Sequence, residues 1–181
     1  MIQLRSKIAL KLLDYFFINP DNSHYINELA GILELDPGNL FRKLKELEIE
    51  GILSSENRGS QKYYSLNKKY PLFKEFKKTY QAKYGLANLL KEKASKIKGL
   101  KEAYIFGSYA SDSLQQGSDI DVLLVGDHSS LEAKKLLIPL QKDIGREINI
   151  IDLSEQELKK RKKQKDEFVN NIFSNEVIKL I

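Results

Sequence analysis

Apolar residues recur along this chain at helical and then at strand spacing, and the two periods predict its elements. Leu4, Ile8, Leu12 and Phe16 step by four, one face of a helix over residues 4–18. Asn19-Pro20-Asp21-Asn22-Ser23 is turn chemistry. Ile26, Leu29, Ala30 and Leu33 give a short second helix. Asp36-Pro37 then sets an N-cap acceptor before a proline whose missing N–H costs nothing in a first turn, so a third helix starts there. That helix turns Leu40, Leu44 and Leu47 inward and ends near Gly51. Residues 52–55 and 62–66 read as two strands, with Asn57-Arg58-Gly59-Ser60 as the turn between them.

From Pro71 the helical period returns. Phe73, Phe76, Tyr80, Tyr84, Ala87, Leu90, Ala94 and Ile97 form a stripe on one long helix, or on two helices broken near Gly85. The stripe reads as a linker helix packed on its neighbours; its aromatic content argues against a coiled-coil dimer seam. Past Gly99 come a buried strand at 103–106, a second at 120–125, a helix at 131–144, a third strand at 147–153 and a basic helix from 155 to about 172. The expected class is α+β. Three zones follow: 1–68, a linker at 69–98, and 99–181.

Composition narrows the picture. The 181 residues suffice for one ordinary domain or two small ones, and 41% hydrophobic with 30% charged residues is a globular balance. No apolar run approaches the roughly 18 residues that span a bilayer. Met1-Ile2-Gln3-Leu4-Arg5 lacks a signal-peptide layout, so the expectation is a cytoplasmic protein without a membrane partner. The absence of cysteine excludes disulfides and thiolate metal sites. A net charge of +5 and a pI near 9.1 are compatible with nucleic acid or nucleotide phosphates.

Two constellations carry chemistry. In the first, the outward residues of the third helix are Gly38, Asn39, Arg42, Lys43 and Glu46. Asn and Arg can contact adenine and guanine edges with two hydrogen bonds each, and Arg58 and Lys62 on the ribbon would meet phosphates or a minor groove. Glu46 counts against this. The stretch from Tyr25-Ile26-Asn27-Glu28-Leu29-Ala30 through Asp36-Pro37-Gly38-Asn39-Leu40-Phe41-Arg42-Lys43-Leu44 to Gly51-Ile52-Leu53 resembles winged helix-turn-helix regulators of the ArsR/MarR kind. The resemblance implies DNA as a partner and, by analogy, a homodimer reading two half-sites. The bland alternative is a winged helix that binds protein or braces its neighbour.

In the second, Gly107-Ser108 follows directly on an apolar strand, and Asp119-Ile120-Asp121 heads the next one. Residues two apart on a strand share a face, so both carboxylates project together. Close carboxylates repel unless a cation lies between them, and hard oxygen donors suit Mg2+. Gly107 lets a phosphate approach the backbone, and Ser108 can donate to it. With Ser118 before the acids and Val122-Leu123-Leu124-Val125 after them, this pattern resembles the minimal nucleotidyltransferases of the DNA polymerase beta superfamily over about residues 99–155. The resemblance implies a nucleoside triphosphate held with Mg2+ or Mn2+ at Gly107, Ser108, Ser118, Asp119 and Asp121. Active members carry a third carboxylate on the strand here read as Ile144-Gly145-Arg146-Glu147-Ile148-Asn149-Ile150. Its aligned position is Asn149, so two of three expected carboxylates remain. An amide accepts no proton at neutral pH. Asp152 lies nearby, but its odd offset puts it on the other face of a regular strand. Ala110-Ser111 stand where many relatives carry Arg or Lys, which leaves Arg146 or the C-terminal helix to supply positive charge.

Lys159-Lys160-Arg161-Lys162-Lys163-Gln164-Lys165 reads as a solvated helix face, with a phosphate or nucleic-acid contact as the alternative. His24 and His128 lack metal-ligand spacing and read as surface or turn residues. The whole order resembles prokaryotic transcriptional regulators carrying a nucleotidyltransferase domain; relatives of that domain pair with HEPN proteins, so a HEPN-type partner protein is implied. Three functions follow. The first is a DNA-binding regulator whose nucleotide-binding domain reacts poorly or not at all. The second is an active enzyme moving NMP from NTP onto a protein or small molecule. The third is a non-catalytic protein-interaction module.

Overall fold

The computed structural model describes residues 6–181, so Leu4 and the Met1-to-Arg5 segment lie outside the described residues. The chain divides into two compact units. The first runs to Tyr84 and includes Lys142–Gly145; the second holds Gly85–Gln141 and Arg146–Ile181. The architecture is mixed α and β, as the periodicities predict.

The first unit contains α1 (Lys7–Ile18), β1 (Ser23–Tyr25), α2 (Ile26–Leu33), α3 (Pro37–Ile49), β2 (Leu53–Arg58), β3 (Gln61–Leu66) and α4 (Phe73–Tyr84). Asp36 caps α3 as its sequence requires: its carboxylate accepts from the Asn39 amide at 2.9 Å, and Pro37 fills the first turn. Leu12, Phe16, Leu29, Leu33, Leu40, Leu44, Leu47, Leu53 and Tyr64 form one buried core. Phe17 meets the rings of Phe73, Phe76 and Tyr80, which seats α4 on α1. The strands form an antiparallel sheet in the order β1-β3-β2. The three-residue β1 is too short to leave a period; it exists because Ser23 and Tyr25 pair with Ser65 and Tyr63.

The aromatic stripe resolves into two helices broken at Gly85, α4 and then α5 (Leu86–Ala94). The chain continues with β4 (Leu100–Phe106), α6 (Gly107–Ala110), β5 (Ile120–Gly126), α7 (Ser130–Leu137), α8 (Leu140–Ile144), β6 (Ile148–Leu153), α9 (Glu155–Lys163), α10 (Glu167–Ser174) and β7 (Ile178–Lys179), all in the second unit except α8 from Lys142 onward. Its four-stranded sheet runs β6-β5-β4-β7. β5 is parallel to β6, while β4 is antiparallel to both β5 and β7. Central β5 is buried on both faces, which explains its unbroken apolar run. Its odd positions, Leu123 and Val125, pack with Leu158, Val169 and Ile172 of α9 and α10.

Two predicted helices are each two. The span 131–144 breaks at Pro139, which has no N–H to continue the ladder. The span 155–172 breaks where Lys165 takes a positive φ of 53°. Asp166 then caps a new helix, accepting from the Val169 amide at 3.0 Å. The basic run therefore ends at a corner. Among the described residues, no helix is long and apolar enough to cross a membrane.

Among the described residues Asp14, 7% exposed on α1, is the one buried carboxylate. Burial pushes its carboxyl from 3.8 up to about 7; a hydrogen bond with Tyr80 opposes the shift and the Asp143 charge adds to it. Between these values the folded state holds a proton that the unfolded chain has released. Stability therefore falls as pH rises from about 4 to 7 and stays low above. Asp14→Asn is expected to flatten that slope and raise stability at pH 7.5 by on the order of 2–4 kcal/mol. Urea midpoints at pH 5 and 7.5 check this, and an unchanged slope would refute it.

Candidate functional site

β4 delivers the chain to Gly107 at a φ of 70°, the left-handed region that favours glycine. A second constraint acts on the same residue. A Cβ here would come within 2.6 Å of Asp121 Oδ2, so the turn closes directly against that carboxylate. The following loop ties itself together. Ser113 N donates to Ser108 O at 2.9 Å, and the Ser111 and Ser113 hydroxyls pair at 2.7 Å. The Ser108 hydroxyl itself has no protein partner among the described residues and is free to donate.

The second approach to the site is braced from below. Gly117 turns at a φ of 81°, and Ser118 Oγ accepts from the Gln115 amide at 3.1 Å. Arg146 Nη1 donates to the carbonyls of Gln115 at 2.8 Å and Ser118 at 2.6 Å. Ser118 thus shapes the turn that delivers Asp119, and this nitrogen of Arg146 is spent on holding it.

Asp119 is exposed just ahead of β5, and Asp121 is half-buried on its second residue. One rung of the sheet carries Phe106, Asp121 and Asn149 side by side. Across it, Asn149 Nδ2 donates to Asp121 Oδ1 at 3.0 Å. The residue standing for the third acid is therefore a neutral donor on the second. Asp121 keeps Oδ2, beside Gly107, and with Asp119 offers the hard carboxylate oxygens that suit Mg2+. Among the described residues no group of three or more His, Asp or Glu is arranged to hold a metal, so the site offers two acids and not three. Asp152 is no substitute. It pairs in register with Leu124, on the face opposite Asn149, and accepts from His128 Nε2 at 2.7 Å.

The two histidines differ from expectation. The His128 side chain is only 2% exposed, and His24 at 13% is bonded to the Tyr15 hydroxyl at 2.7 Å. His24 also meets Glu28, four residues on, at 3.0 Å, whereas the partner of His128 lies 24 residues away. Sequence reasoning also missed a cavity of about 300 Å³ lined by Phe106, Gly107, Phe168, Asn171, Asn175 and Glu176. Its α10 residues were hidden within what read as one basic helix. In the basic run itself, Arg161 Nε bonds Glu157 at 3.1 Å and Lys162 lies 4.0 Å over the Phe173 ring, as suits a solvated face.

On the first unit, Asn39 and Arg42 are exposed on α3 and hydrogen-bonded to each other. Lys43 is ion-paired with Glu46, and Arg58 with Glu56 while lying over the Tyr63 ring at 4.6 Å. Lys62 reaches Glu48 at 2.9 Å. The Ser55 hydroxyl bonds the same carboxylate, so Glu48 ties β2 and β3 to α3. The Ser55 and Lys62 hydrogen bonds hold the Glu48 carboxyl below its usual range, and the bond to Glu48 pushes Lys62 up. Of the four cations Arg42, Lys43, Arg58 and Lys62, the last three carry an acid partner.

A family model of the nucleotidyltransferase domain matches residues 86–177, just over half the chain. Among solved structures, the chain is similar to reduced HlyU from Vibrio cholerae N16961 at 22% identity, over 44% of this chain and 78% of that one, with a TM-score of 0.36. It is also similar to a provisionally assigned nucleotidyltransferase from Sulfolobus solfataricus at 27% identity, over 43% and 68%, with a TM-score of 0.28. Both scores are too low to establish a shared fold. No curated protein matches the chain.

The double constraint on Gly107 gives a differential expectation. Gly107→Ala forces a positive φ on alanine and a methyl into Asp121, and should cost about 1–3 kcal/mol. Gly31→Ala, in α2 with nothing within 4 Å of the new methyl, should be neutral or stabilise by up to about 1 kcal/mol. Denaturant unfolding of both variants measures the difference; equal effects would contradict the geometry.

Proposed function

The chain belongs to the nucleotidyltransferase domain family, and from that premise we propose that it is a DNA-binding regulator whose second unit holds a nucleoside triphosphate with Mg2+ and transfers from it slowly or not at all. The observation that carries this reading is the Asn149 amide on Asp121. Transfer needs a group to take the proton of the attacking hydroxyl, and an amide cannot do so. Asp152 is committed to His128 on the other face. Binding needs less. The Gly107 turn and the Ser108 hydroxyl would meet phosphate oxygens, Ser118 would shape the turn that presents Asp119, and Asp119 and Asp121 would hold the metal. Bound there, Mg2+ supplies charge neutralisation for the triphosphate, and Mn2+ suits the same oxygens.

The first unit supports the DNA-binding half through its element order: helices α2 and α3 followed by the β2–β3 hairpin suit a winged helix-turn-helix. Asn39 and Arg42 would read base edges; Lys43, Arg58 and Lys62 would contact phosphates. The acids set a condition. Phosphates must displace Glu46, Glu56 and Glu48 from their partners, so binding gains less per cation than from free lysines and arginines, and needs a well-fitted site. A homodimer reading two half-sites belongs to the same proposal.

A second reading, active transfer of NMP onto a protein or small molecule, is favoured by the retained acids Asp119 and Asp121 and by the position of Asp121 Oδ2 beside Gly107. Incubation with labelled ATP and Mg2+, alone and with cell extract, separates the two. At most a trace of transfer by the wild type is expected; repeated turnover that vanishes in Asp119→Ala would replace the first reading by the second. For the DNA half, Arg42→Ala should weaken a salt-sensitive gel shift on the upstream DNA about tenfold or more. Unchanged binding would move the first unit to a protein-contact role.

A further inference from the structure

We propose that the cavity between β4 and α10 receives the nucleobase of the triphosphate; this rests on the nucleotide-binding reading above. Position is the first argument. Gly107 both closes against Asp121 and lines the cavity, so phosphate turn and cavity share a wall. Phe106, the register partner of Asp121, is a second shared residue. A ligand with its phosphates at Gly107-Ser108 therefore has its other end beside this opening. At about 300 Å³ the cavity is at the small end of ligand sites, room for a base and not for a polypeptide segment.

Chemistry is the second argument. Phe168 packs edge-on to Phe106, with centroids 6.2 Å apart at 85°, which fixes its ring while 39% of the residue stays exposed. A fixed, open aromatic ring is a stacking platform for any base. Beside it, Asn175 Nδ2 is spent on Asn171 O and Oδ1, both at 2.7 Å. That leaves Asn175 Oδ1 as an acceptor and Asn171 Nδ2 as a donor. Base edges present neighbouring donors and acceptors, which such a pair can match. Glu176 adds an acceptor-only group, suited to ring N–H or amino donors.

The test is calorimetric titration of the full chain with Mg2+ and each of ATP, GTP, CTP and UTP, and with Mg2+ and inorganic tripolyphosphate. The wild type should bind at least one nucleotide about tenfold or more tighter than tripolyphosphate. Phe168→Ala should remove about tenfold of that nucleotide affinity and leave tripolyphosphate unchanged. Phe168→Leu keeps the apolar bulk without the ring and should give the same split, which guards against a local folding defect. Nucleotide affinities that exceed tripolyphosphate but ignore both Phe168 variants would place the base elsewhere and overturn this proposal alone. Equal affinity for nucleotides and tripolyphosphate would do the same. Failure of the wild type to bind any of them would remove the nucleotide-binding reading and this proposal with it.

Discussion

The Asp121 carboxylate sets the constraint around which the second unit is arranged. One oxygen lies under the Asn149 amide and the other against Gly107. Each neighbour is dictated by a different level of structure. Asn149 arrives through the parallel register of β5 and β6, and Gly107 through the antiparallel register that sets Phe106 beside Asp121. The turn needs glycine twice over, for its φ and for its contact. The buried run behind Asp121 anchors the rung in the sheet, so the polar end of β5 is positioned by the apolar remainder of the same strand.

In the first unit a carboxylate plays a comparable organising part. Glu48 binds Ser55 and Lys62 and so joins both hairpin strands to α3. The same bonds that fix the hairpin also occupy one of its cations. Exposed ion pairs contribute little to stability, typically under about 1 kcal/mol. On the proposed reading they would act on recognition: Lys43, Lys62 and Arg58 would reach a polyanion only by leaving Glu46, Glu48 and Glu56. A surface built this way resists indiscriminate attraction to phosphate more than its lysine and arginine count implies.

Much of this was legible in the chain, and what was not has physical causes. The Asp36-Pro37 cap, the buried stripe of β5 and the closeness of Gly107 to the acids are local patterns, and the structure carries them. The place of Asn149 came from the family resemblance, since alternation fixes the face of a residue and not its register; alternation alone did put Asp152 on the far face. Partnerships across long sequence gaps were not readable. His128 looks like a loop residue until Asp152, 24 positions on, holds it inside. β7 has two residues and no period, and its existence depends on β4. The Lys165 break was masked by a helical composition on both sides, and with it the α10 face that lines the cavity.

The exchange of an acid for Asn149 does more than remove a base. Three convergent carboxylates repel one another unless a cation is present, so such a site is poorly formed without its metal. An amide in the third place reverses this. It donates to Asp121 and joins the two strands across the rung without needing a metal. It also lowers the negative charge of the site by one, which weakens attraction for a free divalent cation. On the proposed reading the triphosphate's own oxygens would supply the missing charge, so metal and nucleotide would favour arriving together. On the reading proposed above, a rung already joined by Asn149 and completed only by the metal–nucleotide pair would suit registering that ligand better than turning it over.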